Sequence, residues 1–170
     1  FWHVGEEILE SAENDRLRAV GYGYLSHLAA DTIAHNFFVP RQLMLTSSTQ
    51  ALGHSYWEHR LDTQLGEPYS SVAREVVMEY DHSEADHLFD QVLSGTLFSF
   101  ETNRRIFRGM IRMQDNDRWH TVFGRMLQSS RWDLPEAAVN GYVSRAFDFV
   151  VDYLLRGRDS LPAGLDPVGE

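Results

Sequence analysis

Apolar residues recur every three or four positions along almost the whole chain. No stretch of useful length alternates with the period of two that a half-buried strand requires. The pattern therefore predicts helices throughout. A first short helix is expected over residues 5–13. Asn14, a residue type that accepts a hydrogen bond from the first turn, then opens a second helix expected to run to Phe38, with Pro40 as its stop. Along it Leu17, Val20, Tyr24, His27, Leu28, Asp31 and His35 fall at helical spacing. Gly21 and Gly23 interrupt that helix. Each costs about 1 kcal/mol against alanine, which close packing on a neighbour would offset.

After a Thr46–Thr49 loop rich in helix-capping residues, a third helix should extend to Leu65 and end at Gly66, with Pro68 just beyond. Further helices are expected over 70–80, 83–93, 100–114, 117–128 and 135–156, Pro135 suiting the first turn of the last. No internal repeat appears and no linker divides the chain. The expected organisation is one all-α domain over 1–157, followed by a Gly-, Pro- and Asp-containing tail, 158–170, expected to be poorly ordered.

At 170 residues the chain is long enough for a real core, and 43% hydrophobic with 24% charged residues is the balance of a globular protein. No apolar run approaches the roughly 18 residues needed to cross a bilayer. The chain does not begin with Met, and no basic segment followed by an apolar stretch opens it, so the sequence does not assign a compartment. The 25 acids outnumber 15 bases, all of them Arg, for a net charge of −10. That balance argues against a partner such as long nucleic acid, whose binding rests on counterion release. The cluster Arg104, Arg105, Arg108 and Arg112 reads as a solvated helix face or a partner contact.

With no cysteine, any metal must be held by nitrogen and oxygen, so the eight histidines carry the interest. His27, Asp31 and His35 stand at i, i+4, i+8 and share one helix face. Neighbours there are about 6 Å apart along the axis and the outer pair about 12 Å. Two adjacent members can meet on one ion, whereas the two histidines cannot easily do so. The spacing therefore suggests two metals with Asp31 near both. His54 and Glu58 form a second i, i+4 pair, on a helix that the short loop allows to return antiparallel. One His from the first helix, with His54 and Glu58, makes three N/O ligands and leaves a position for water or substrate, the pattern of catalytic zinc sites. Asp62, one turn on, suits an acceptor that orients a ligand. His82 and Asp86 share the spacing but lie in a charged stretch that reads as a solvated face.

These residues also carry a resemblance. Leu9-Glu-Ser-Ala-Glu-Asn-Asp-Arg-Leu-Arg18, Gly21-Tyr-Gly-Tyr-Leu-Ser-His-Leu-Ala-Ala-Asp31, His35-Asn36 and His54-x-x-x-Glu58 make the stretch 5–119 resemble the bacterial zinc-dependent phospholipase C family. The resemblance implies an all-α fold of the phospholipase C/P1 nuclease type and a metal-dependent phosphodiesterase with two or three zinc ions. Its substrate would be a phospholipid or a small phosphodiester. It implies that His27 and Asp31 serve one zinc, that Asp31 reaches a second and takes part in catalysis, and that His35, His54 and Glu58 hold the remaining ion. The chain departs from the family's secreted enzymes in two respects. Their second histidine follows the aspartate at longer spacing, and their remaining ligands come from upstream, where only His3 is available here. A zinc nuclease or nucleotidase, and a non-catalytic metal-stabilised helical module, are the alternative readings.

Overall fold

The structure, a computed structural model, describes residues 1–46, 50–93 and 132–169. The described residues are overwhelmingly helical and include no strand. They group into two compact units, Phe1–Gln64 with Leu134–Glu170, and Leu65–Asp133. The helices expected over 100–114 and 117–128, and the arginine cluster with them, lie outside the described residues.

In the first unit, α1 (Trp2–Ser11) leads into α2 (Asp15–Ile33), whose entry is capped by Asn14: its Oδ1 accepts the Leu17 N–H at 2.9 Å. α2 packs against α1 and against the long C-terminal helix α7 (Glu136–Arg156). The seam is apolar: Ile8, Leu17, Leu25, Leu28, Ala29, Ile33, Val139 and Tyr153 are all buried. Removing such side chains from water stabilises the fold by about 1.5–3 kcal/mol for each large aliphatic. Trp2 stacks on Tyr153 with ring centroids 4.6 Å apart, and Phe38 meets Tyr142 edge-on at 5.1 Å. Two glycines let α1 and α2 approach. A Cβ at Gly5 would sit 2.4 Å from Leu25 Cδ2, and one at Gly21 would sit 2.6 Å from Leu9 Cδ2. Gly21 thus has the close neighbour that the sequence leads one to expect. Gly23 does not: among the described residues nothing lies within 4 Å of its Cβ position.

The chain does not stop at Pro40. α2 passes into a π-helical turn, Ala34–Phe38, and then directly into α3 (Val39–Thr46), with Pro40 inside it. The physical reason lies in the hydrogen-bond register. The Val39 N–H bonds to the Ala34 carbonyl, five residues back. In that register the donor missing from proline would have served the His35 carbonyl, and Pro40 falls in the first turn of α3, where proline is tolerated. α4 (Gln50–Leu65) completes the helices of this unit, ending where Gly66 adopts φ +93°.

In the second unit, α5 (Glu67–Glu79) starts earlier than expected because Pro68 sits in its first turn, and α6 (Ser83–Val92) follows.

The tail expected to be poorly ordered is instead part of the first unit. After Gly157, at φ +56°, residues Gly157–Asp159 and Pro162–Gly164 form short 3₁₀ turns. Arg158 grips the Glu6 carboxylate through both Nε and Nη2, and the Trp2 indole N–H donates to the Leu165 carbonyl at 3.2 Å. Pro162 and Ser160 are buried. Gly and Pro here permit a tight path rather than mobility, since the tail's backbone acceptors find donors on other elements.

Candidate metal centre

All five histidine and carboxylate side chains singled out by spacing lie in the first unit. α2 carries His27 and Asp31, the π turn carries His35, and α4 carries His54 and Glu58. The structure sorts them into a pair and a trio. His27 Nε2 lies 3.2 Å from Asp31 Oδ2, one helical turn on. Glu58 Oε1 lies 3.1 Å from His35 Nε2 and 3.0 Å from His54 Nε2, and the two imidazoles face each other with centroids 5.1 Å apart. One donor atom from each of His35, His54 and Glu58 falls within 4.8 Å of the others. Among the described residues this is the group whose spacing suits a single ion; it does not include His27, Asp31 or His3. The side chain of His27 is 67% exposed and that of His35 only 16%, so the trio is the more sheltered part.

The hydrogen bonding of His35 tests whether a metal fits. Its Nδ1 lies 2.7 Å from the Pro167 carbonyl oxygen. A carbonyl only accepts, so Nδ1 carries the proton. A neutral His35 then turns the lone pair of Nε2 toward Glu58 Oε1, another acceptor. Two lone pairs at 3.1 Å need a cation between them, either a proton or a metal ion. Tetrahedral zinc bonded at about 2.0–2.1 Å keeps its donors roughly 3.3 Å apart, close to the two edges seen here. A ligand histidine whose other nitrogen donates to a backbone carbonyl is also the usual supporting arrangement of such sites. The residues therefore fit a divalent ion with nitrogen and oxygen donors.

The local electrostatics agree. Burial alone would lower the basicity of His35. The Pro167 carbonyl, the bond to Glu58 and the negative charges of Asp31 and Glu58 outweigh it and raise its pKa above the ordinary imidazole value. The surroundings are thus set to hold positive charge at Nε2. The carboxyl of Asp31 is pushed above the usual carboxylate range, chiefly by burial; His27 and His35 oppose that shift and Glu58 adds to it. Asp31 thus feels both the histidine beside it and the trio.

Two contributors escaped the sequence reading. The acceptor that orients His35 is the Pro167 carbonyl. Asn36, next to His35, gives its side-chain amide to the Thr32 carbonyl at 3.0 Å and the Asp166 carbonyl at 2.7 Å. A backbone carbonyl has no side-chain signature, and only the adjacency of Asn36 to His35 hinted at its part. His82 sits at the start of α6 with Nε2 on the Val76 carbonyl at 2.7 Å, and does not join a metal-ligand group among the described residues.

Residues 1–100 match the model of a protein family described as zinc dependent phospholipase C. The match takes in every member of the pair and the trio and ends before α7 and the C-terminal segment. Neither the curated proteins nor the solved structures contain a match to the chain.

Proposed function

We propose, for a chain that belongs to the zinc-dependent phospholipase C family, that it is a metal-dependent phosphoesterase cleaving a phospholipid or a small phosphodiester. The observation that carries this reading is the convergence of His35, His54 and Glu58 on one point, with the lone pair of His35 aimed there by the Pro167 carbonyl. A zinc ion held by these three would act as a Lewis acid on a phosphoryl oxygen and lower the pKa of a water toward about 7. The three side chains supply two neutral donors and one negative charge, which leaves the ion a net positive charge toward a phosphate. Their partial exposure on one side leaves room for substrate to approach.

His27 and Asp31 are the proposed second position, one turn along α2. In this reading Asp31 would serve both positions, its negative charge tuning the water bound there. The net charge of −10 favours a small or membrane-presented substrate over a long polyanion. The number of ions in this reading is two or three.

The test is metal content first and turnover second. Protein purified without chelator should contain zinc by elemental analysis. Chelator-stripped protein should regain hydrolysis of phosphatidylcholine vesicles or of a soluble aryl phosphodiester when zinc is restored. Asp31→Asn should lower turnover more than substrate binding, and should cost more than one ion where His35→Ala costs mainly one. Folded protein that takes up no zinc on titration overturns the reading. Zinc uptake without hydrolysis of either substrate would favour a metal-stabilised helical module instead.

A further inference from the structure

We infer that Asn36 and the chain segment Leu165–Gly169 form a bracket that fixes the ring orientation and tautomer of His35. The inference rests on the reading of His35 as a metal ligand, which uses the Pro167 carbonyl but gives no role to Asn36, Asp166 or Gly169. Three successive backbone carbonyls of this segment accept side-chain donors, one from α1 and two from the π turn. Leu165 O takes the Trp2 indole N–H at 3.2 Å, Asp166 O takes the Asn36 amide at 2.7 Å, and Pro167 O faces His35 Nδ1 at 2.7 Å.

Asn36 is the link between segment and helix. An amide nitrogen has two hydrogens, and here both go to carbonyls: Thr32 O on α2 and Asp166 O on the segment. That holds residue 166 at a fixed distance from α2 and so fixes the position of the next carbonyl, which is the one His35 uses. Aspartate at position 36 has nearly the same shape but offers no donor, so it would face two carbonyls with negative charge. The segment is closed by its own turn. Val168 N–H donates to Asp166 Oδ1 at 3.0 Å and Gly169 N–H donates to Asp166 O at 3.2 Å.

Gly169 gives a second, independent sign that the segment is fitted to this place. Its φ is +72°, and a Cβ there would lie 2.6 Å from the His35 carbonyl oxygen. This is the acceptor left without a helical donor by the π turn and Pro40. The backbone of residue 169 thus lies directly against the ligand residue, where only glycine fits. The bracket touches His35 twice, at its ring through Pro167 and at its carbonyl through Gly169. The segment also lies beyond the part of the chain that matches the family model.

The experiment uses the full chain, chelator-stripped, as parent, Asn36→Asp and Gly169→Ala. Circular dichroism establishes that each is folded. Long-range proton–nitrogen NMR on ¹⁵N-histidine protein, at about pH 9 where imidazole is neutral, reads the tautomer of His35. Competition against a chromophoric zinc chelator reads affinity. The parent should show the proton on Nδ1. Each variant should lose that preference and bind zinc about 10- to 100-fold more weakly, the usual cost of removing a group that orients a metal ligand. An unchanged tautomer, or unchanged zinc affinity in both variants, overturns the inference. If the parent binds no zinc yet the variants lose the tautomer preference, the bracket stands and the metal reading of the site falls.

Discussion

Replacing Glu58 by Gln exchanges one oxygen for an amide and leaves the helix face of α4 otherwise intact. Glu58 is the shared vertex of the trio, with His54 Nε2 at 3.0 Å and His35 Nε2 at 3.1 Å from the same oxygen. In metal-free protein the substitution should matter little. The carboxylate is 42% exposed, and ion pairs of that kind are worth about 0–1 kcal/mol. For a chain of this size about 1 kcal/mol shifts the melting temperature by roughly 2–4 °C, so a fall of no more than about 4 °C is expected.

With zinc the two proteins should separate. A ligand at 100 times its Kd stabilises the native state by about 2.7 kcal/mol, which lifts the parent by about 5–11 °C. If the loss of one donor and its charge weakens binding about 100-fold, the same free zinc then equals the Kd. The stabilisation falls to about 0.4 kcal/mol and the shift to about 1–2 °C. Calorimetric or circular-dichroism melts in chelator and in buffered zinc measure both differences. An equal zinc shift in parent and variant would refute the claim that Glu58 holds the ion. A large loss of stability in chelator alone would mean that its role is in the fold.

Gly5→Ala places a methyl group 2.4 Å from Leu25 Cδ2 and 2.9 Å from Tyr24 Cδ1, so it should destabilise by about 1–3 kcal/mol in thermal melts. Gly23→Ala, with nothing described within 4 Å, should be neutral or stabilise by up to about 1 kcal/mol. Asp152 accepts the Leu161 N–H at 2.8 Å and an Arg156 bond; the Leu161 amide is the chief cause of its lowered pKa, with burial opposing. A carboxylate whose folded pKa is depressed contributes stability above its unfolded value, near 3.8, and loses it as pH falls through the folded value. Protection factors over 157–169, corrected for the intrinsic slowing of amide exchange in acid, should therefore fall below about pH 4, and Asp152→Asn should show that fall already at neutral pH. Equal protection in parent and variant at neutral pH would count against this anchor.

Much of the local structure was legible because its causes are local. Asn14 caps α2 through its own side chain, and Gly66 ends α4 with a positive φ. The i, i+4 spacing of His54 and Glu58 brought them together on one helix face, as spacing alone requires. The separation of His27 from His35 was also implied by their distance along the helix, and they enter a pair and a trio. What the sequence hid depends on long-range partners. Pro40 reads as a stop because a proline interrupts the four-residue register, yet it falls in the first turn of α3, where proline is tolerated. Glycine and proline in 157–169 read as disorder because their composition does not reveal that Trp2, Asn36 and His35 supply donors. The role of Asn36 needed the position of a carbonyl 130 residues away.

The docking of Leu165–Gly169 against α2 also sets an order of events during synthesis. All five candidate ligand residues are made within the first part of the chain, by Glu58, whereas the carbonyl that pins His35 belongs to residue 167. At about 5–20 residues per second, the roughly 100 residues in between occupy the ribosome for about 5–20 s. Throughout that interval the nascent chain has its imidazoles and carboxylates but not the closing segment. Its His35 ring is free to turn and to exchange the proton between its two nitrogens. The candidate ligands are therefore made first, and the carbonyl that orients His35 follows about 100 residues later.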